Sequence, residues 1–105
     1  MAQWDVYANP SPRAREELPF LVDVQSNLLS GLRTRFVVPC APAEGQLERL
    51  PRRMSPEFDI GGRRVLLVPH EAGPMDAALL HKPVASLRAQ SHLVIDAFDA
   101  VIGGV

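Results

Sequence analysis

Two glycines, Gly61 and Gly62, stand between two runs with strand character. Before them Phe58 and Ile60 alternate with Glu57 and Asp59; after them comes Arg63-Arg64-Val65-Leu66-Leu67-Val68. A two-residue connection whose members both reach positive φ without a Cβ penalty favours a tight antiparallel hairpin. The middle of the chain is thereby committed to an antiparallel sheet. Val65 to Val68 is apolar at successive positions, as expected of a central strand covered on both faces.

Three further strands precede this hairpin. Trp4, Val6 and Ala8 alternate with Asp5 and Tyr7, which predicts a half-buried strand closed by Asn9-Pro10-Ser11-Pro12. Leu18, Phe20, Val22 and Val24 alternate with Pro19, Leu21, Asp23 and Gln25. Thr34 to Cys40 is β-branched and apolar, with Phe36, Val38 and Cys40 on one face and Pro39 marking an edge or the strand's end. His70 to Lys82 reads as a connector. From Pro83, which can open a helix, Val84, Leu87, Val94, Phe98 and Val101 recur at helical spacing. An amphipathic helix of about five turns is expected, ended by Gly103-Gly104. The order predicts a mainly β protein, a small antiparallel sheet with one C-terminal α-helix packed on it.

Length and charge narrow the function. The chain has 105 residues, room for one core. Eleven Lys and Arg face twelve Asp and Glu, so there is no global positive field to hold nucleic acid. Cys40 is the single cysteine, which excludes an internal disulfide framework and a cysteine-rich metal cluster. No apolar run approaches a membrane span, and the default compartment is the cytoplasm.

Reactive side chains are sparse. His92 and Asp96 are four apart on the polar helix face, but two ligands make a poor zinc site and no metal is expected. Cys40 lies on an apolar strand face, where a packing role outweighs a nucleophilic one. Asp23, His70 and Arg63 or Arg64 can be assembled into a ribonuclease-like trio only on paper. Arg49, Arg52, Arg53, Arg63 and Arg64 fall within sixteen positions and form either a solvated face or a dock for an acidic peptide. Lys82 and Arg88 at the start of the expected helix, and Asp96 and Asp99 toward its end, oppose the helix dipole. The tail Val101-Ile102-Gly103-Gly104-Val105 is apolar, so it either tucks into its own domain or meets another molecule.

In motif order the chain resembles the CcdB toxins, the poison half of a plasmid or chromosomal toxin–antitoxin pair. The likeness rests on Leu21-Val22-Asp23-Val24-Gln25-Ser26 followed by Leu28 and Leu29, on Arg35-Phe36-Val37-Val38-Pro39, on Asp59-Ile60-Gly61 and on Val84-Ala85-Ser86-Leu87 as the start of the last helix. Gln3, Val6 and Tyr7 fit the family's first strand.

The resemblance implies an SH3-like barrel relative: a five-stranded antiparallel sheet, a small extra sheet and a C-terminal helix, in one toxin domain over residues 1–105. It implies a cytoplasmic homodimer with no cofactor and no catalytic residues. The dimer would bind the A subunit of DNA gyrase and trap gyrase on cleaved DNA, and a cognate antitoxin with an acidic tail would neutralise it, the arrangement used in plasmid maintenance. The implied gyrase-facing residues are Ser26, Leu28, Leu29, Asp99, Ile102, Gly103, Gly104 and Val105, with Gln3, Trp4 and Tyr7 at the periphery. Val101, Ile102 and Val105 would serve the dimer, and Arg49, Arg52, Arg53, Arg63 and Arg64 the antitoxin. The chain departs from the pattern at Gly103, where the family carries a Trp, and at Asp99, where it carries an Asn. The departure keeps two alternatives open: a barrel toxin with another target, such as messenger RNA, or a non-toxic antitoxin-binding homologue.

Overall fold

The computed structural model describes residues 2–45 and 50–104. Five strands lie where alternation predicts them: β1 (Asp5–Ala8), β2 (Phe20–Asp23), β3 (Thr34–Pro42), β4 (Glu57–Ile60) and β5 (Arg63–Leu67). Two more, β6 (Gly73–Asp76) and β7 (Ala85–Ser86), complete one seven-stranded sheet in the order β4-β5-β3-β2-β1-β7, with β6 also paired to β3. Every pairing is antiparallel. The sheet curls into a nearly closed barrel-like form, with the C-terminal helix packed on it.

The β4–β5 hairpin turns at Gly61 and Gly62, whose φ values of 60° and 84° define the mirror-image turn that only small residues enter without strain. The Asp59 carboxylate closes the turn by accepting the Gly62 N–H at 2.9 Å. Pro39 is not at an edge. It pairs with Leu21 of β2, and its carbonyl accepts the Val68 N–H at 2.9 Å. On that outer side β3 changes neighbour, from β6 along 34–37 to β5 along 40–42, so the missing proline N–H falls in the gap.

Both faces of the sheet are covered. Val6, Val22, Val38, Cys40, Phe58, Ile60, Val65 and Leu67 form the main core beneath Leu87, Val94 and Ala97. The opposite face carries a second core of Tyr7, Leu21, Val37 and Leu80. The half-buried reading of β1 is therefore corrected: Leu80 packs with Tyr7, which is left 2 % exposed.

The expected five-turn helix is shorter. The stretch before residue 88 is extended, because the outer edge of β1 needs backbone partners. Val84 N–H donates to the Val6 carbonyl at 2.7 Å, and Leu87 N–H to that of Trp4 at 2.9 Å. A 3₁₀ turn at Arg88–Gln90 then leads into α1 (Ser91–Gly103). Lys82 thus lies outside the helix and cannot oppose its dipole. Gly104, at φ 71°, caps the end by donating to the Ala100 carbonyl at 2.8 Å.

Candidate functional site

The turn after β2 is built from polar groups. Asp23 and Arg35 form an ion pair that is buried on both sides, Nε to Oδ2 at 2.8 Å. The other oxygen of Asp23 accepts the Gln25 N–H at 3.0 Å. Ser26 Oγ accepts the Leu28 N–H at 3.2 Å and so caps a short 3₁₀ turn at Asn27–Leu29. Gln3 is stitched to the same turn: its N–H donates to Asn27 Oδ1 at 3.0 Å and its Nε2 to the Val24 carbonyl at 3.1 Å.

On this scaffold Leu28 is 95 % exposed, and Leu29 and Leu32 are exposed beside it. The helix leaves a second apolar face. Val94, Ala97 and Ala100 turn inward, while Ile95, Asp99 and Ile102 turn outward, with Ile102 82 % exposed. The ring of Phe36 on β3 meets that of Phe98 on the helix, one turn before Ile102. The base of the 26–34 loop and the helix are joined through this contact.

The remaining expected residues fall as follows. Gly103 and Gly104 are exposed at the helix end, and Val101 is half-buried. Trp4 is half-buried at φ 78°, with its N–H donating to the Asp23 carbonyl at 2.6 Å. Tyr7 faces the second core and offers no surface. Val105 and Arg49 lie outside the described residues.

A separate groove of ≈ 680 Å³ runs between β5, the 50–56 segment and α1. Arg52, Arg53 and Arg64 line it, above apolar walls that include Leu66 and Leu93. Arg63 is exposed outside it. Arg64 is engaged by Glu57, to which its Nε donates at 2.6 Å, and Glu71 and Asp96 add two more carboxylates to the rim. His70 lines this groove, but Asp23 is sealed against Arg35, so the trio of Asp23, His70 and an arginine is not assembled. Cys40 is fully buried, and burial pushes its thiol up to about 12, which leaves no thiolate nucleophile near neutral pH. Among the described residues, no group of three or more metal-ligating side chains converges and no helix is long and apolar enough to cross a membrane.

Residue-by-residue reading missed Gln25, Arg35 and Phe36 as supports of this surface. A usable signal existed for Arg35 and Asp23, each a lone charge inside a strand of otherwise apolar pattern. Such charges are rarely buried unless paired.

A curled antiparallel sheet with one helix, carrying exposed apolar side chains on a polar-pinned turn and on the helix end, defines a barrel-like protein equipped for protein contacts. The family model described as CcdB protein matches residues 3–104, and the chain belongs to the CcdB family. Membership supports a toxin of a toxin–antitoxin system. No curated protein matches the chain.

Proposed function

We propose that this chain, as a single domain over residues 1–105, is the toxin of a type II toxin–antitoxin module that binds the A subunit of DNA gyrase in the cytoplasm. It acts there by trapping gyrase on cleaved DNA, without catalysis of its own. The observation that carries the reading is the exposure of Leu28 and Ile102 on elements whose backbones are firmly bonded. Apolar side chains held in water in this way suit a contact with another protein. Ser26, Leu29, Asp99, Gly103, Gly104 and Val105 complete the proposed contact, with Gln3 and Trp4 at its margin.

The chain acts as a homodimer, to which Val101, Ile102 and Val105 contribute. A cognate antitoxin with an acidic tail neutralises it, and Arg52 and Arg53 in the groove, with Arg49 and Arg63 nearby in sequence, are the cations offered to that tail. The test is direct. Purified chain is added to gyrase, ATP and supercoiled plasmid, and linear DNA is expected to accumulate after denaturation of the enzyme. Plasmid that stays supercoiled without linear product, together with no measurable binding to the A subunit, refutes the reading.

A second reading has its own observation. Gly103 closes the helix without any side chain, so the tail lacks a large anchor. A homologue that sequesters antitoxin without poisoning gyrase would bind the antitoxin tightly and leave growth unaffected.

A further inference from the structure

Gln25 is 8 % exposed and sits at the root of the Ser26–Thr34 segment. Its backbone is held at both ends: the N–H donates to Asp23 Oδ1 at 3.0 Å, and the carbonyl accepts from Arg35 Nη2 at 3.4 Å. Its side chain is used almost completely. Oε1 accepts the Phe36 N–H at 2.9 Å, while Nε2 donates to the Leu29 carbonyl at 3.0 Å and the Thr34 carbonyl at 3.1 Å. An amide side chain has two donor hydrogens and one acceptor oxygen, and here both ends are engaged. One residue thus ties down the middle of the segment, its return and the strand that follows.

The segment has no core of its own. Leu28, Leu29 and Leu32 point outward, so burial cannot hold the loop in one shape. A surface loop with few buried apolar contacts opens at low free energy unless other bonds hold it. The buried Asp23–Arg35 pair supplies a rigid base, and Gln25 transmits that rigidity to the loop.

We propose that Gln25 is a positioning residue of the partner-binding surface, holding Leu28 and Leu29 as a preformed apolar pair so that a target meets them without first ordering the loop. The proposal rests on the reading that this loop contacts the A subunit of gyrase. Glutamine is suited to the position because the site needs an acceptor toward Phe36 and donors toward two carbonyls. A glutamate there sets an anionic oxygen against the carbonyls of Leu29 and Thr34. Its protonated form regains one donor.

The experiment uses Gln25→Glu and reads two quantities. The first is affinity for purified gyrase A subunit by calorimetry, as a ratio to wild type at pH 8 and pH 5.5. At pH 8 a loss of at least tenfold is expected, and the ratio should narrow by at least threefold at pH 5.5. The second is amide exchange in the free protein at pH 8. The bonded loop amides of Leu28, Leu29, Ser30 and Leu32 should exchange at least tenfold faster, with Val22 and Val38 unchanged. Unchanged affinity alongside faster loop exchange overturns the proposal, as does a loss of affinity that is identical at both pH values. If Gln25→Glu fails to fold, Gln25→Met is read by affinity at pH 8 and by exchange, and the same absence of an affinity loss overturns the proposal. If wild type does not bind the A subunit, the functional reading has failed; exchange confined to the loop then supports the positioning role, and uniform or unchanged exchange overturns it.

Discussion

Phe36 of β3 rests on Phe98 of α1 with ring centroids 6.1 Å apart and planes inclined by 40°. The contact bridges the sheet and the helix at the edge of the proposed binding surface. Aromatic pairs in such tilted arrangements are worth about 0.5–1.5 kcal/mol beyond area burial. A double-mutant cycle of Phe36→Ala and Phe98→Ala, read by urea unfolding, should return a coupling energy in that range. The Phe98 change should be the costlier of the two, because its ring also packs on the main core. Strict additivity would show that the rings meet without interacting.

The Asp23–Arg35 pair is the next target. Removing one partner leaves an uncompensated charge out of water, a loss of about 3–5 kcal/mol. Arg35→Ala should therefore unfold at much lower urea than wild type. Replacing both residues with apolar ones of similar volume should recover part of the loss. It should not restore affinity for the target, because Gln25 loses the two groups that hold its backbone.

Alkaline pH offers a third test. Burial raises the Cys40 thiol from 9.0 to about 12, so the folded state holds its proton where the unfolded state has released it. The stability this supplies is complete below pH 9 and drains away as pH climbs toward 12. Burial also raises the Tyr7 phenol, with Asp5 and Asp23 adding and Arg35 opposing, which extends the same trend. Unfolding free energy should fall between pH 8 and pH 10.5, and Cys40→Ala should fall less steeply, although it starts lower. Parallel slopes would exclude the thiol as the cause.

Gly103 is helical and exposed and does not take positive φ, so a large side chain can be added there without backbone strain. Gly103→Trp should tighten binding to the gyrase A subunit, with a hot-spot gain of about 2 kcal/mol, or roughly thirtyfold in Kd. An unchanged or weaker Kd would place the contact away from the helix end.

The proposed homodimer is checked by sedimentation at micromolar concentration. A species of twice the 11.5 kDa chain mass is expected. Ile102→Lys should shift it toward monomer, since a charge would enter an apolar contact. A wild-type monomer would remove the two-fold geometry on which the gyrase reading depends.

The sheet was largely legible in the chain because β1 to β5 carry their own alternation and the Gly61-Gly62 turn carries its own stereochemistry. β6 and β7 carry neither. Gly73-Pro74-Met75-Asp76 becomes a strand because β3 has an edge to satisfy, and Ala85-Ser86 does so for β1 despite lying in a helical period. Tertiary pairing overrode local pattern at both places. Leu28 and Leu29 were reached through family likeness, while their exposure emerged only with the fold. Gln25 and Arg35 were missed because polar side chains in a strand pattern default to the solvent side, whereas the fold sets Arg35 against Asp23 and turns the Gln25 amide onto the backbone of Leu29, Thr34 and Phe36.

β3 divides its outer edge between β6 and β5, while β2 occupies the other edge. Its last partner, Asp76, stands more than thirty residues downstream. During synthesis the strand must therefore wait, half-paired and apolar, until most of the chain has left the ribosome. An exposed strand edge of that kind invites association with other chains. Until residue 76 has emerged, that edge of a newly made copy stays open.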